Sequence, residues 1–170
     1  CCGTGGVGKT TISAALALRL AQGGARTVVV TIDPAKRLAS ALGMSGLSDE
    51  PQRVPADALL GPGAGELWAL QLDAKATFDR LVSRYAADEA AMTRILENRI
   101  YRHLSGAVAG AQEYMAVERL HELVEDGGFE CIVLDTPPAT NALDFLAAAQ
   151  RLTRLIEGRA PRLLLPPGAG

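Results

Sequence analysis

Gly3-Thr4-Gly5-Gly6-Val7-Gly8-Lys9-Thr10-Thr11 stands almost at the start of the chain and decides how the rest is read. Its first eight residues fit G-x-x-x-x-G-K-[ST], the pattern of a phosphate-binding loop. Glycines let successive backbone N–H groups turn inward around one phosphate. A helix that starts at the loop presents its positive end to the same anion. Lys9 is then placed to reach the β- and γ-phosphates, and the Thr10 hydroxyl to ligate Mg²⁺. The expected binding residues are Gly3, Thr4, Gly5, Gly6, Val7, Gly8, Lys9, Thr10 and Thr11, with Lys9 also counted as catalytic. A glycine-rich turn that meets the pattern by chance is the alternative. The motifs downstream argue against it.

Outward from the loop, residues 9–22 are rich in Ala, Leu and Thr, without Gly or Pro, and are bounded by Gly23-Gly24. They predict a helix. Residues 27–32, TVVVTI, form a β-branched run without polar alternation. That pattern fits a parallel strand buried on both faces, ended by Asp33-Pro34. A short helix is expected at 37–42 and a long loop over 43–65, where Gly, Pro, Ser and Asp crowd. Residues 67–72 predict a second strand. The stretch 75–125 turns helical, with Phe78, Leu81, Val82 and Tyr85 at one-face spacing; Gly106 and Gly110 interrupt it. Residues 129–134, containing CIVL, predict a third buried strand that ends on Asp135, and 143–156 a last helix. Alternating strands and helices imply an α/β domain with a mostly parallel sheet flanked by helices. The domain expected over 1–170 carries a helical subdomain at about 75–125.

Asp33 and Asp135 each follow an apolar strand, where an open parallel sheet binds its ligand. Two tasks call for carboxylates there: holding Mg²⁺, and orienting or deprotonating the attacking water. Asp135, before a Pro-rich turn, reads as the metal-associated residue alongside Thr10. Asp33 is the candidate for water activation, with a helix N-cap as its other reading.

Composition narrows the classes. A net charge of −2 offers no broad basic field for nucleic acid. No apolar run approaches the ~20 residues of a membrane-spanning helix, so a cytoplasmic location is expected, with a place at the membrane periphery left open. The three cysteines, Cys1, Cys2 and Cys131, make no C-x-x-C and share no ligand spacing with His103 or His121. Cys131 is expected to be a small core residue. The loop begins without the strand that normally precedes it, and residues 166–170, PPGAG, read as loop. Further sequence is expected on both sides.

Gly5-Gly6-Val7-Gly8-Lys9-Thr10-Thr11, the Asp33-Pro34-Ala35 turn and the Asp135-Thr136-Pro137-Pro138 turn together resemble the ArsA-type ATPases. This group includes the ATPase subunit of arsenite pumps and the ATPase that targets tail-anchored membrane proteins. It belongs to the deviant-Walker P-loop NTPases, which also contain MinD and ParA. The likeness covers essentially all 170 residues, and residues 110–120, GAQEYMAVERL, are similar to bacterial members. The resemblance implies ATP with Mg²⁺, Asp33 as the water-activating residue of a first switch and Asp135 as the magnesium-associated head of a second. Asn141 takes no role. The stretch 75–125 corresponds to the client-handling subdomain, and ATP draws two subunits into a homo- or heterodimer serving a membrane-protein client or transporter. No nucleic acid is expected.

One departure matters. The family carries a lysine before the Gly-Gly pair that reaches across the dimer. Here that position is Thr4, which lacks the charge; losing such a cation costs on the order of 10³-fold in rate. Three functions follow: an ATP hydrolase driving a dimer switch, a weakly hydrolysing regulatory subunit whose partner brings the lysine, and a positioning ATPase of the MinD or ParA kind. The cysteines speak against direct arsenite capture, which needs clustered thiolates.

Overall fold

The computed structural model describes residues 1, 6–33, 35–85, 88–89, 92–93 and 111–136. Its elements are α1 (Lys9–Gln22), β1 (Thr27–Thr31), α2 (Arg37–Ala41), β2 (Gln52–Arg53), α3 (Asp57–Leu60), β3 (Leu67–Gln71), α4 (Ala74–Tyr85), α5 (Ala111–Glu125) and β4 (Cys131–Asp135). The expected helix at 143–156, Asn141, Thr4, Cys2, His103 and most of 86–110 lie outside the described residues.

The sheet runs β2-β3-β1-β4. β1 pairs in parallel with β3 and with β4, and β2 pairs antiparallel with β3. The mostly parallel α/β architecture expected from the alternation is therefore present. On the outer edge of β4, the Cys1 nitrogen donates to Leu134 O at 2.6 Å. Thr136 N–H returns a bond to Cys1 O at 3.4 Å, the slanted pattern of a parallel pair.

All five residues of β1 are buried, because helices cover both faces of the sheet at its centre. On one face Val29, Leu67, Ala69 and Val133 pack with Ala14, Ala17 and Ala21 of α1. Alanine at these helix positions lets the backbone approach the sheet closely. On the other face Val28, Val30 and Leu70 pack with Leu123 of α5. Ile32 and Leu72 extend that core to Met115, Ala116, Phe78 and Leu81. Arg80 ties α4 to α5, its Nε 3.4 Å from Glu122, and within α5 Arg119 Nη1 lies 2.7 Å from the same carboxylate. Burial opposes the charge on Arg80, but the hydrogen bond and charge of Asp49, with Glu122 and Glu50, raise its pKa further.

Three expectations need correction. The 43–65 stretch is not all loop, since it holds β2 and α3. Two strand residues exist only through pairing with β3, and four helical residues have too few turns to announce themselves. Cys131 is half-buried rather than a core residue, because it is the first residue of β4, at the rim of the sheet. The third strand begins at Cys131 rather than at residue 129, and it ends on Asp135 as expected.

Candidate nucleotide site

Gly6 and Gly8, which lead into α1, line one cavity with Asp33 beyond β1 and Thr136 beyond β4. Gly6 and Gly8 have φ of 77° and 81°, the left-handed region that disfavours any residue with a Cβ. An added Cβ at either would meet no protein atom within 4 Å. The demand for glycine is thus conformational, and the space beside the loop stays open. Gly8 caps α1 with no side-chain hydrogen bond, and the first turn holds no acidic residue. The leading N–H groups of α1 therefore receive no side-chain oxygen from the cap, which suits an anionic ligand.

A cavity of about 800 Å³ lies against this helix end, lined by Gly6, Gly8, Lys9, Thr10, Thr11, Asp33, Ala35, Lys36, Arg37, Ser40, Ala41 and Thr136. That volume falls within the ~300–1,000 Å³ of small-molecule and cofactor sites. Among the lining residues are three cations, Lys9, Lys36 and Arg37, and one carboxylate, Asp33. Such a balance attracts a polyanion. Val7 is 57% exposed and does not line the cavity.

The two aspartates are neighbours through the sheet, since Thr31 of β1 stands opposite Asp135 of β4. Thr31 Oγ1 donates to Asp135 Oδ2 at 3.2 Å and accepts the Asp33 N–H at 3.2 Å. One hydroxyl thus ties both strand ends together. Ser13, fully buried on α1, shares its single proton between Lys9 O at 2.9 Å and Asp135 Oδ1 at 3.4 Å. The shorter contact is the stronger. Asp135 is 1% exposed and sits behind the cavity wall rather than in it. Asp33 does line the cavity, but its carboxylate has local partners. Oδ1 accepts the Ala35 N–H at 2.9 Å, and Oδ2 pairs with Arg37 Nη1 at 3.1 Å. The Ala35 bond closes a turn two residues long, the Arg37 bond spans four residues, and α2 itself is capped at Lys36, so Asp33 is not the helix N-cap.

The donor set fits Mg²⁺. Thr10, Ser13, Thr31 and Asp135 offer only hard oxygens, and the Asp135 carboxylate is buried among hydroxyls. Magnesium keeps several waters and takes one or two carboxylates plus phosphates, so a site with a single buried carboxylate suffices.

Gly6, Gly8, Lys9, Thr10, Thr11 and Asp33 of the expected set come together at one cavity, with Asp135 behind it; Gly3, Thr4 and Gly5 lie outside the described residues. Sequence reading missed Lys36, Arg37, Ser40 and Thr136 on the cavity wall, and Ser13 and Thr31 beneath it. Two signals were present: adjacent cations directly after the Asp33-Pro34-Ala35 turn, and hydroxyls at buried positions of an apolar helix and strand.

Comparison with known proteins follows the same lines. A family model described as anion-transporting ATPase matches residues 1–161. The chain is 32% identical over 145 residues to "ATPase get3" of Aspergillus terreus, covering 85% of this chain and 40% of that protein. It is 28% identical over 147 residues to "ATPase GET3" of Malassezia globosa, covering 86% and 40%. A third relative, "ATPase get3" of Schizosaccharomyces japonicus, is 28% identical over 146 residues. The chain thus spans about two fifths of the length of these relatives. All three are fungal, so the bacterial likeness rests on residues 110–120 alone. Among the described residues no helix is long and apolar enough to cross a membrane.

Proposed function

Because the chain belongs to the ArsA-type family of anion-transporting ATPases, we propose that its cavity binds ATP with Mg²⁺ and hydrolyses the terminal phosphate. The observation that supports this most directly is the meeting of the α1 amino end, Lys9 and Asp33 at one cavity, with Asp135 tied to the same edge through Thr31. In this reading the loop amides of residues 3–11 and Lys9 hold the phosphates. Thr10 and Asp135 hold Mg²⁺, which when bound neutralises phosphate charge. Asp33 orients the attacking water and takes its proton. Lys9 stabilises charge on the departing phosphate oxygens.

At the level of the whole protein, we propose that nucleotide turnover opens and closes a dimer with a second ArsA-type subunit. That switch serves transport or targeting of a membrane-protein client from the cytoplasm, with the stretch 75–125 handling the client. No nucleic-acid partner belongs to this reading. A weakly hydrolysing regulatory subunit is the second reading. Thr4 favours it, as does the engagement of both Asp33 oxygens by Ala35 and Arg37.

Titration with ATP and single-turnover hydrolysis, on the wild type and on Asp33→Asn, separate these. The hydrolase reading expects retained binding and a rate lower by about 10²–10⁴-fold. Equal rates would remove Asp33 from its role. A wild type that binds ATP with negligible turnover, restored by an ArsA-type partner, would support the regulatory reading.

A further inference from the structure

We propose that Arg37 is a phosphate-binding residue of this cavity, whose guanidinium exchanges Asp33 for the terminal phosphate of a bound triphosphate. The inference rests on the reading of the cavity as a triphosphate site. Asp33 has both carboxylate oxygens occupied, Oδ1 by the Ala35 N–H at 2.9 Å and Oδ2 by Arg37 at 3.1 Å. The guanidinium on Oδ2 competes with an incoming water for that oxygen. The two partners differ in their freedom to give way. The Ala35 N–H is backbone, fixed by the turn. The Arg37 side chain is 67% exposed, against 18% for Asp33, and it extends from the first residue of α2.

Exposed ion pairs of this kind are weak and exchange readily. Arg37 also lines the cavity together with Lys9, Thr10 and Thr11 at the α1 amino end. A phosphoryl group there offers the guanidinium more charge than a carboxylate and matches its two-pronged donor geometry. The loop cradles the phosphates nearer the nucleoside. The end of the chain of phosphates, where a water-orienting Asp33 must act, therefore falls beside Arg37. The exchange couples two events. Occupation of the cavity by a triphosphate draws Arg37 away, and the same movement frees Asp33 Oδ2. A diphosphate does not reach Arg37 and leaves the pair intact.

The test is calorimetric titration of the full chain with Mg²⁺ and either ADP or the non-hydrolysable AMP-PNP. Arg37→Ala is expected to weaken AMP-PNP binding by about ten- to a hundredfold, the range for losing a charge-assisted hydrogen bond. ADP binding should stay within about twofold of wild type, and Arg37→Lys, with charge but no fork, should recover part of the loss. The Arg37 side-chain ¹⁵N resonance, assigned by its loss in Arg37→Lys, should move with AMP-PNP and not with ADP. Equal effects of Arg37→Ala on both nucleotides, no effect on either, or a resonance unmoved by AMP-PNP would overturn the exchange while leaving the nucleotide site standing. A correctly folded wild type that binds neither nucleotide would overturn the functional reading and this inference with it.

Discussion

Thr31 Oγ1 and Asp135 Oδ2 lie 3.2 Å apart across the β1–β4 pair, in a setting where Thr31 is 3% and Asp135 1% exposed. A buried carboxylate needs its hydrogen bonds, because desolvation otherwise penalises its charge. Thr31→Val keeps the β-branched shape and removes the hydroxyl. It leaves Asp135 Oδ2 without this donor and the Asp33 N–H without this acceptor. The expected destabilisation is about 1.5–3 kcal/mol, read by urea denaturation. Thr31→Ser should restore most of it, whereas a purely apolar role for the side chain predicts the opposite order.

Lys9 stands at the first position of α1 and on the cavity wall. Lys9→Ala removes a cation from the phosphate end while the loop amides remain. ATP affinity is expected to fall roughly ten- to a hundredfold in a calorimetric titration, with far-ultraviolet dichroism unchanged.

Gly65 supports the opposite end of the sheet. A Cβ there would fall 2.3 Å from Ala25 O and 2.5 Å from Gly24 O, and both are backbone atoms with little room to yield. Gly65→Ala should cost about 1–3 kcal/mol of stability. Because β1 and β3 begin here and the cavity lies at the other ends of the strands, nucleotide affinity should be unaffected at temperatures where the variant is folded.

Arg119 and Glu122 form a pair whose side chains are 7% and 4% exposed. Arg119 also donates to Asp49 O at 2.9 Å, linking α5 to the loop before β2. Arg119→Ala removes the shortest partner of the buried Glu122 carboxylate while Arg80 and Arg84 remain, and is expected to cost about 1.5–3 kcal/mol. Adding Glu122→Gln should recover part of that loss in a double-mutant cycle. A fully additive double variant would show that the pair is not coupled.

Much of this molecule can be read locally. The loop at residues 3–11 is a contiguous pattern in which glycine, lysine and threonine each have a chemical reason for their place. α1 and β1 were legible because their signals, an unbroken run of helix formers and a β-branched run without alternation, operate within a few residues. The placement of Asp33 and Asp135 at strand ends follows from the same runs. What connects those pieces was not legible. Ser13 meets Asp135 across 122 residues, and Thr31 meets it across 104; no local preference marks a serine or threonine for a partner that far away. β2 exists only because β3 offers it an edge. Arg37 is, by sequence, one cation after a turn. Tertiary structure puts it on Asp33 and beside the amino end of α1, where long-range packing rather than propensity sets which charges share a cavity.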